Sequence, residues 1–125
     1  MNLVDSSAWL EYFSDGPNAA FFAAAIEKPS ELVVSAINIY EVFRRVLQQR
    51  DESAALRAVA AMEQGTLVDV SEPIALHAAQ LAIGHKLPMA DAMILATARA
   101  CGATLWTQDV DFEGIEGVRY RAKRA

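Results

Sequence analysis

Four carboxylates, Asp5, Glu41, Asp91 and Asp109, are separated by long stretches of chain, yet each falls where an alternating strand–helix fold would gather them. Asp5 ends the apolar opening strand Asn2-Leu3-Val4, and Glu41 lies near the start of the helix after the strand Leu32-Val33-Val34. Asp91 is the one charge between Leu87 and Ala98, and Asp109 follows the strand Ala103-Thr104-Leu105-Trp106. In open α/β sheets, ligand sites form outside the carboxyl ends of the strands. Acids collected there make a cluster of hard oxygen donors, which selects Mg²⁺ or Mn²⁺. Such crowding also predicts that at least one carboxyl of the metal-free protein titrates high.

Taken singly, each acid has an ordinary alternative role. Asp91 lies in the first turn after Pro88, where negative charge suits the helix dipole. Its neighbours Met89, Ala90, Ala92, Met93, Ile94, Leu95 and Ala98 are apolar in every direction around the helix, which predicts burial and makes a lone carboxylate costly there. Glu41 points away from an apolar arc of Ile39, Tyr40, Val42, Phe43, Val46 and Leu47, toward Arg44, Arg45 and Gln48, as a solvated glutamate would. Asp5 suits a turn or a helix N-cap. Asp109 and Asp111 share one post-strand loop, and either one serves as the fourth acid. Asp69 also lies near a strand end, but it alternates with Leu67, Val68 and Val70 and reads as a solvent-facing edge residue. The functional reading rests on the set.

The elements that must position these acids alternate between short strands and amphipathic helices, the pattern of an α/β domain with a parallel sheet. Ser6 or Ser7 is predicted to cap a helix through Phe13, and Asp15-Gly16-Pro17-Asn18 reads as a turn. A second helix runs to Glu27. After the strand Leu32–Val34, a third helix spans about Ala36 to Arg50, and Asp51 caps a fourth that ends at Gly65. Thr66–Val70 is a strand. Ser71 caps a fifth helix closed by Gly84, and Pro88 opens a sixth that stops at Gly102. The strand ending at Trp106 and a last strand, Val118–Tyr120, complete a central parallel sheet of four to five strands flanked by helices. Residues 1–125 read as one domain, with the last few residues a basic tail.

The 125 residues suffice for one core, and a hydrophobic fraction of 54% is high for a soluble domain. No run of about 18 apolar residues is present, so no membrane span is expected. The N-terminal residues resemble no secretory signal, and the single cysteine, Cys101, cannot form an internal disulfide, so a cytoplasmic setting is expected. The net charge of −5 usually argues against nucleic-acid partners, but the four acids carry most of that excess. Basic residues concentrate at Arg44-Arg45 and at Arg119, Arg121, Lys123 and Arg124. The second group reads first as a solvated, frayed end, with a phosphate or partner contact as the alternative. His77 and His85 are spaced wrongly for a helical zinc pair, and no Gly-rich phosphate loop appears.

Val4-Asp5-Ser6-Ser7, Glu41 in an early helix, Leu87-Pro88-Met89-Ala90-Asp91-Ala92-Met93-Ile94-Leu95-Ala96 and Gly102-Ala103-Thr104-Leu105-Trp106-Thr107-Gln108-Asp109-Val110-Asp111-Phe112 together resemble a PIN domain. More narrowly, the chain resembles a VapC-type ribonuclease toxin of a toxin–antitoxin pair, along its full length. The resemblance places the four acids at Asp5, Glu41, Asp91 and Asp109, with Ser6 and Thr107 as supporting hydroxyls and Asp111 beside them. Trp106 departs from the smaller aliphatic residue usual at its position, which bears on packing.

The resemblance implies metal-dependent hydrolysis of RNA phosphodiesters with Mg²⁺ or Mn²⁺, one ion or two, held by the four acids. Arg44 and Arg45, one turn beyond Glu41, would steer the RNA backbone. It also implies a homodimer silenced by a cognate VapB-type antitoxin. Trp9, Tyr12, Phe13, Phe21 and Phe22 then serve either as walls of the antitoxin groove or as core. Two rivals stand beside this reading. One is a PIN-like module that binds RNA or protein without catalysis, which the intact acid set opposes. The other is a Mg²⁺-dependent phosphatase with an aspartyl nucleophile, which would want an aspartate where Ser7 stands.

Overall fold

The computed structural model describes residues 1–124. The chain runs β1 (Asn2–Val4), α1 (Ser6–Phe13), α2 (Ala19–Ile26), β2 (Leu32–Ser35), α3 (Ala36–Gln49), α4 (Glu52–Met62), β3 (Thr66–Val68), α5 (Glu72–His85), α6 (Met89–Ala100), β4 (Thr104–Thr107) and β5 (Val118–Tyr120). Short 3-10 turns at Pro29–Glu31 and Val110–Phe112 precede β2 and follow β4. The five strands form one sheet in the order β3-β2-β1-β4-β5, and every pair is parallel.

Apolar side chains alternate across the central strands because successive residues of a strand point to opposite faces. Leu3, Val33 and Leu105 face one core with Ile74, Leu81, Ile94 and Leu95 of α5 and α6. Val4, Val34 and Trp106 face the other with Trp9, Phe22 and Met62. With helices on both faces the sheet is covered, as a parallel sheet requires. Trp9 and Phe22, at 1% and 0% exposed, are core residues, whereas Phe13 is 36% exposed. Trp106 fits its strand by donating from Nε1 to Asn2 Oδ1 at 2.9 Å and packing on Phe21.

Several boundaries differ from the sequence expectation, each for a local reason. Asp5, rather than Ser6 or Ser7, occupies the N-cap of α1, and its side chain makes no capping bond because it is engaged elsewhere. Gly84 lies inside α5. The helix runs to His85 and ends at Lys86, whose φ of 56° breaks the helical path. β3 stops at Val68, so Asp69 is exposed beyond the strand. β4 is shifted by one residue to include Thr107. The apolar arc of α3 is not all core: Tyr40 and Leu47 are 63% and 43% exposed. The apolar girdle around Asp91 is likewise incomplete, since Met89 is exposed. No helix among the described residues is long and apolar enough to cross a membrane.

Candidate metal centre

The sheet's strand order reverses between β1 and β4. The chain builds β1, β2 and β3 outward in one direction, then returns to lay β4 along the other edge of β1. The carboxyl ends of β1 and β4 therefore splay at a topological switch point, where open α/β sheets form their crevice. Asp5 follows β1 directly, and its backbone N–H donates to Trp106 O at 2.9 Å, joining the two strand ends. Asp5 Oδ2 accepts from Thr107 Oγ1 at 2.9 Å and from Ser7 Oγ at 2.7 Å. Thr107 Oγ1 in turn accepts from the backbone N–H of Asp109 at 2.9 Å, which fixes the loop after β4. Asp109 Oδ1 then accepts from the Asp111 N–H at 2.9 Å and caps the following turn.

Glu41 arrives from the other side, on α3. Ser35 caps that helix by accepting from Ile37 N, and Asn38 Oδ1 accepts from Ser35 N at 3.1 Å. This orients the buried Asn38 amide so that Nδ2 donates to Ser6 Oγ at 3.0 Å. With its lone pair so engaged, the Ser6 hydroxyl gives its proton to Glu41 Oε1 at 2.7 Å. Glu41 is thus half-buried and tethered, not the free surface glutamate of its helical wheel.

Asp91, in the first turn of α6, meets the β4 loop. One carboxylate oxygen from each of Asp91, Asp109 and Asp111 lies within 4.8 Å of the other two. Both candidates for the fourth acid are therefore beside Asp91, with Asp109 half-buried and Asp111 exposed. Asp5, Ser6, Glu41, Asp91 and Asp109 line one open cleft of about 740 Å³, together with Arg44 and Arg45. Arg50 and Arg57 extend its basic wall along α3 and α4.

Burial pushes the Asp5 carboxyl up to about 6, against the pull of the Ser7 and Thr107 hydroxyls, and the charge of Asp109 adds to the rise. Asp91 is driven further, to about 8, first by burial and then by the charges of Asp5 and Asp109. Two of the four acids titrate high, more through burial than through the crowding that the sequence suggested. A set of carboxylates with no histidine or thiol among them fits a hard divalent cation, whose charge would favour the ionised forms of Asp5 and Asp91.

The sequence reading assigned site roles to the acids, Ser6, Thr107 and the arginine pair, and none to Asn38, Ser7 or Gln108. The signal for Asn38 was present: an amide three residues after Ser35 at a helix start marks a capping box. Gln108 and Asn18 meet across 90 residues at 3.0 Å, a pairing that no local pattern announces.

A family model of the PIN domain matches residues 3–118. No curated protein sequence matches the chain. Among solved structures, one from a toxin-antitoxin complex of Klebsiella pneumoniae is 29% identical, covers 95% of this chain and 96% of its own, and superposes with a TM-score of 0.81. Mycobacterium tuberculosis VapC20, a Sarcin-Ricin loop cleaving toxin, shares the fold at 19% identity, 93% and 95% coverage and a TM-score of 0.76. A chain of DNA-bound VapBC from Salmonella typhimurium does so at 17% identity, 98% coverage of both chains and a TM-score of 0.74. With nearly its whole length matched, the chain belongs to the PIN domain family.

Proposed function

We propose that this protein is a metal-dependent endoribonuclease that hydrolyses RNA phosphodiester bonds at the Asp5–Glu41–Asp91–Asp109 centre. The observation that carries the reading is the convergence of acids from four separate elements on one cleft with an arginine wall. Asp5, Asp91 and Asp109 would hold Mg²⁺ or Mn²⁺, with Asp111 or Glu41 completing the set. When bound, the cation would lower the pKa of a water nucleophile and offset charge at the phosphorus. The chain's own residues prepare the site. Ser7 and Thr107 hold Asp5 in one orientation, while the Ser6 hydroxyl, donating to Glu41, fixes the direction of that side chain. Arg44 and Arg45 supply the cations that an acidic centre needs to attract a polyanion.

The similarity to a chain of the Klebsiella toxin-antitoxin complex supports a biological role as the toxin of such a pair, restrained by a VapB-type antitoxin; a homodimer is part of the same proposal. Incubation with total RNA, tRNA included, tests the activity. Discrete fragments in Mg²⁺ or Mn²⁺ that disappear with EDTA are the expected result. An uncut pool under both metals would count against it.

A further inference from the structure

The chain is held beside the acids as far as Ala122, within the basic end. Arg121 N donates to Thr107 O at 3.0 Å, continuing the β4–β5 pairing past Tyr120. Asn18, fully buried in the turn before α2, donates through Nδ2 to Ala122 O and to Gln108 Oε1, each at 3.0 Å. The clamped backbone leaves Lys123 at the boundary between the acidic cleft and a second hollow of about 440 Å³. Tyr120 and Val110 line that hollow, which adjoins the cleft at Gln108 and Asp109. None of the α3 and α4 arginines lies along it.

A strand crossing the acids needs cations on its flanks, because the carboxylates themselves repel phosphates. Arg44 and Arg45 provide them along α3. We propose that the second hollow is a further subsite for single-stranded RNA, with Lys123 on a backbone phosphate and Tyr120 against a base. Asn18 is its positioning residue. Sequence-tolerant single-strand sites combine positive charge along the backbone with rings on which bases stack. The subsite rests on the ribonuclease reading.

The test is the salt dependence of RNA binding in an Asp91→Asn background, using a labelled single-stranded RNA of about ten nucleotides in Mg²⁺. Losing one phosphate contact lowers the slope of log affinity against log salt by about 0.7 for a single strand. Lys123→Ala is expected to show that loss, and Arg124→Ala, one residue further along the exposed end, is not. Tyr120→Leu is expected to weaken binding roughly tenfold without changing the slope. Asn18→Ser should reproduce Lys123→Ala, with a melting curve to confirm folding. Lys123 is exposed, so its variant carries the test alone if Asn18→Ser does not fold. Equal slopes for Lys123→Ala and Arg124→Ala, with Arg44→Ala still lowering the slope, would overturn the subsite and leave the ribonuclease reading intact. No RNA binding by any of these proteins would overturn both.

Discussion

Ser6 and Glu41 stand 35 residues apart in sequence, yet the serine hydroxyl donates to the glutamate Oε1 at 2.7 Å while accepting from Asn38. The bond joins α1 to α3 and sets the direction of a side chain that would otherwise swing in solvent. Ser6→Ala removes that donor and leaves a buried Asn38 amide hydrogen without its acceptor. Denaturant unfolding should register a loss of about 1–3 kcal/mol. Cleavage should fall as well, because Glu41 is no longer held.

The raised carboxyls make stability depend on pH in a defined direction. Asp5 at about 6 and Asp91 at about 8 bind protons more tightly in the folded protein than in the unfolded chain. Their contribution is complete below about pH 4 and is lost as pH rises through about 6 and then about 8. The metal-free melting temperature should therefore decline from pH 5 toward pH 9. Asp91→Asn should remove the decline above about pH 6 and make it shallower below, where Asp5 still contributes. A flat profile in the wild type would show that these carboxyls titrate no higher in the folded protein than in the unfolded chain.

Divalent cations should reverse the same penalty. At about a hundredfold excess over its dissociation constant, Mn²⁺ or Mg²⁺ stabilises by roughly 2.7 kcal/mol. Since protons compete for Asp5 and Asp91, the stabilisation should grow between pH 6 and pH 8. Thermal melts with and without metal at several pH values measure it, and Asp91→Asn should lose most of it.

The aromatic residues of α1 and α2 divide into core and surface. Phe22→Ala should cost about 3–5 kcal/mol, as a buried phenylalanine does. Phe13 is 36% exposed but stacked on Trp9, so Phe13→Ala should cost less, about 1–2 kcal/mol. If the proposed antitoxin covers α1, the Phe13 variant should weaken that complex by more than its own loss of stability explains.

The acids were legible in the sequence because each stands immediately after a strand or in the first turns of a helix, where hydrophobic periodicity changes. That pattern fixes their end of the sheet without knowing the strand order. The order itself, with β4 beside β1, is what makes Thr107 reach Asp5, and no local period encodes it. Glu41 shows the same limit: the wheel gave its direction correctly but not the hydroxyl waiting there. Lys123 reads first as part of a frayed end, with a phosphate contact as the alternative, because Asn18, which holds the neighbouring Ala122 carbonyl, lies at the other end of the chain.

The most direct measurement compares RNA cleavage by Asp91→Asn with cleavage by Asp69→Asn, each with Mn²⁺ and with EDTA. Asp69 is an exposed acid beyond β3, near a strand end but outside the cleft. The account predicts that Asp69→Asn cuts like the wild type and stops with chelator, while Asp91→Asn is slower by roughly a hundredfold or more. Wild-type cutting by Asp91→Asn, or cutting that persists in EDTA, would contradict a metal-dependent centre built on these acids.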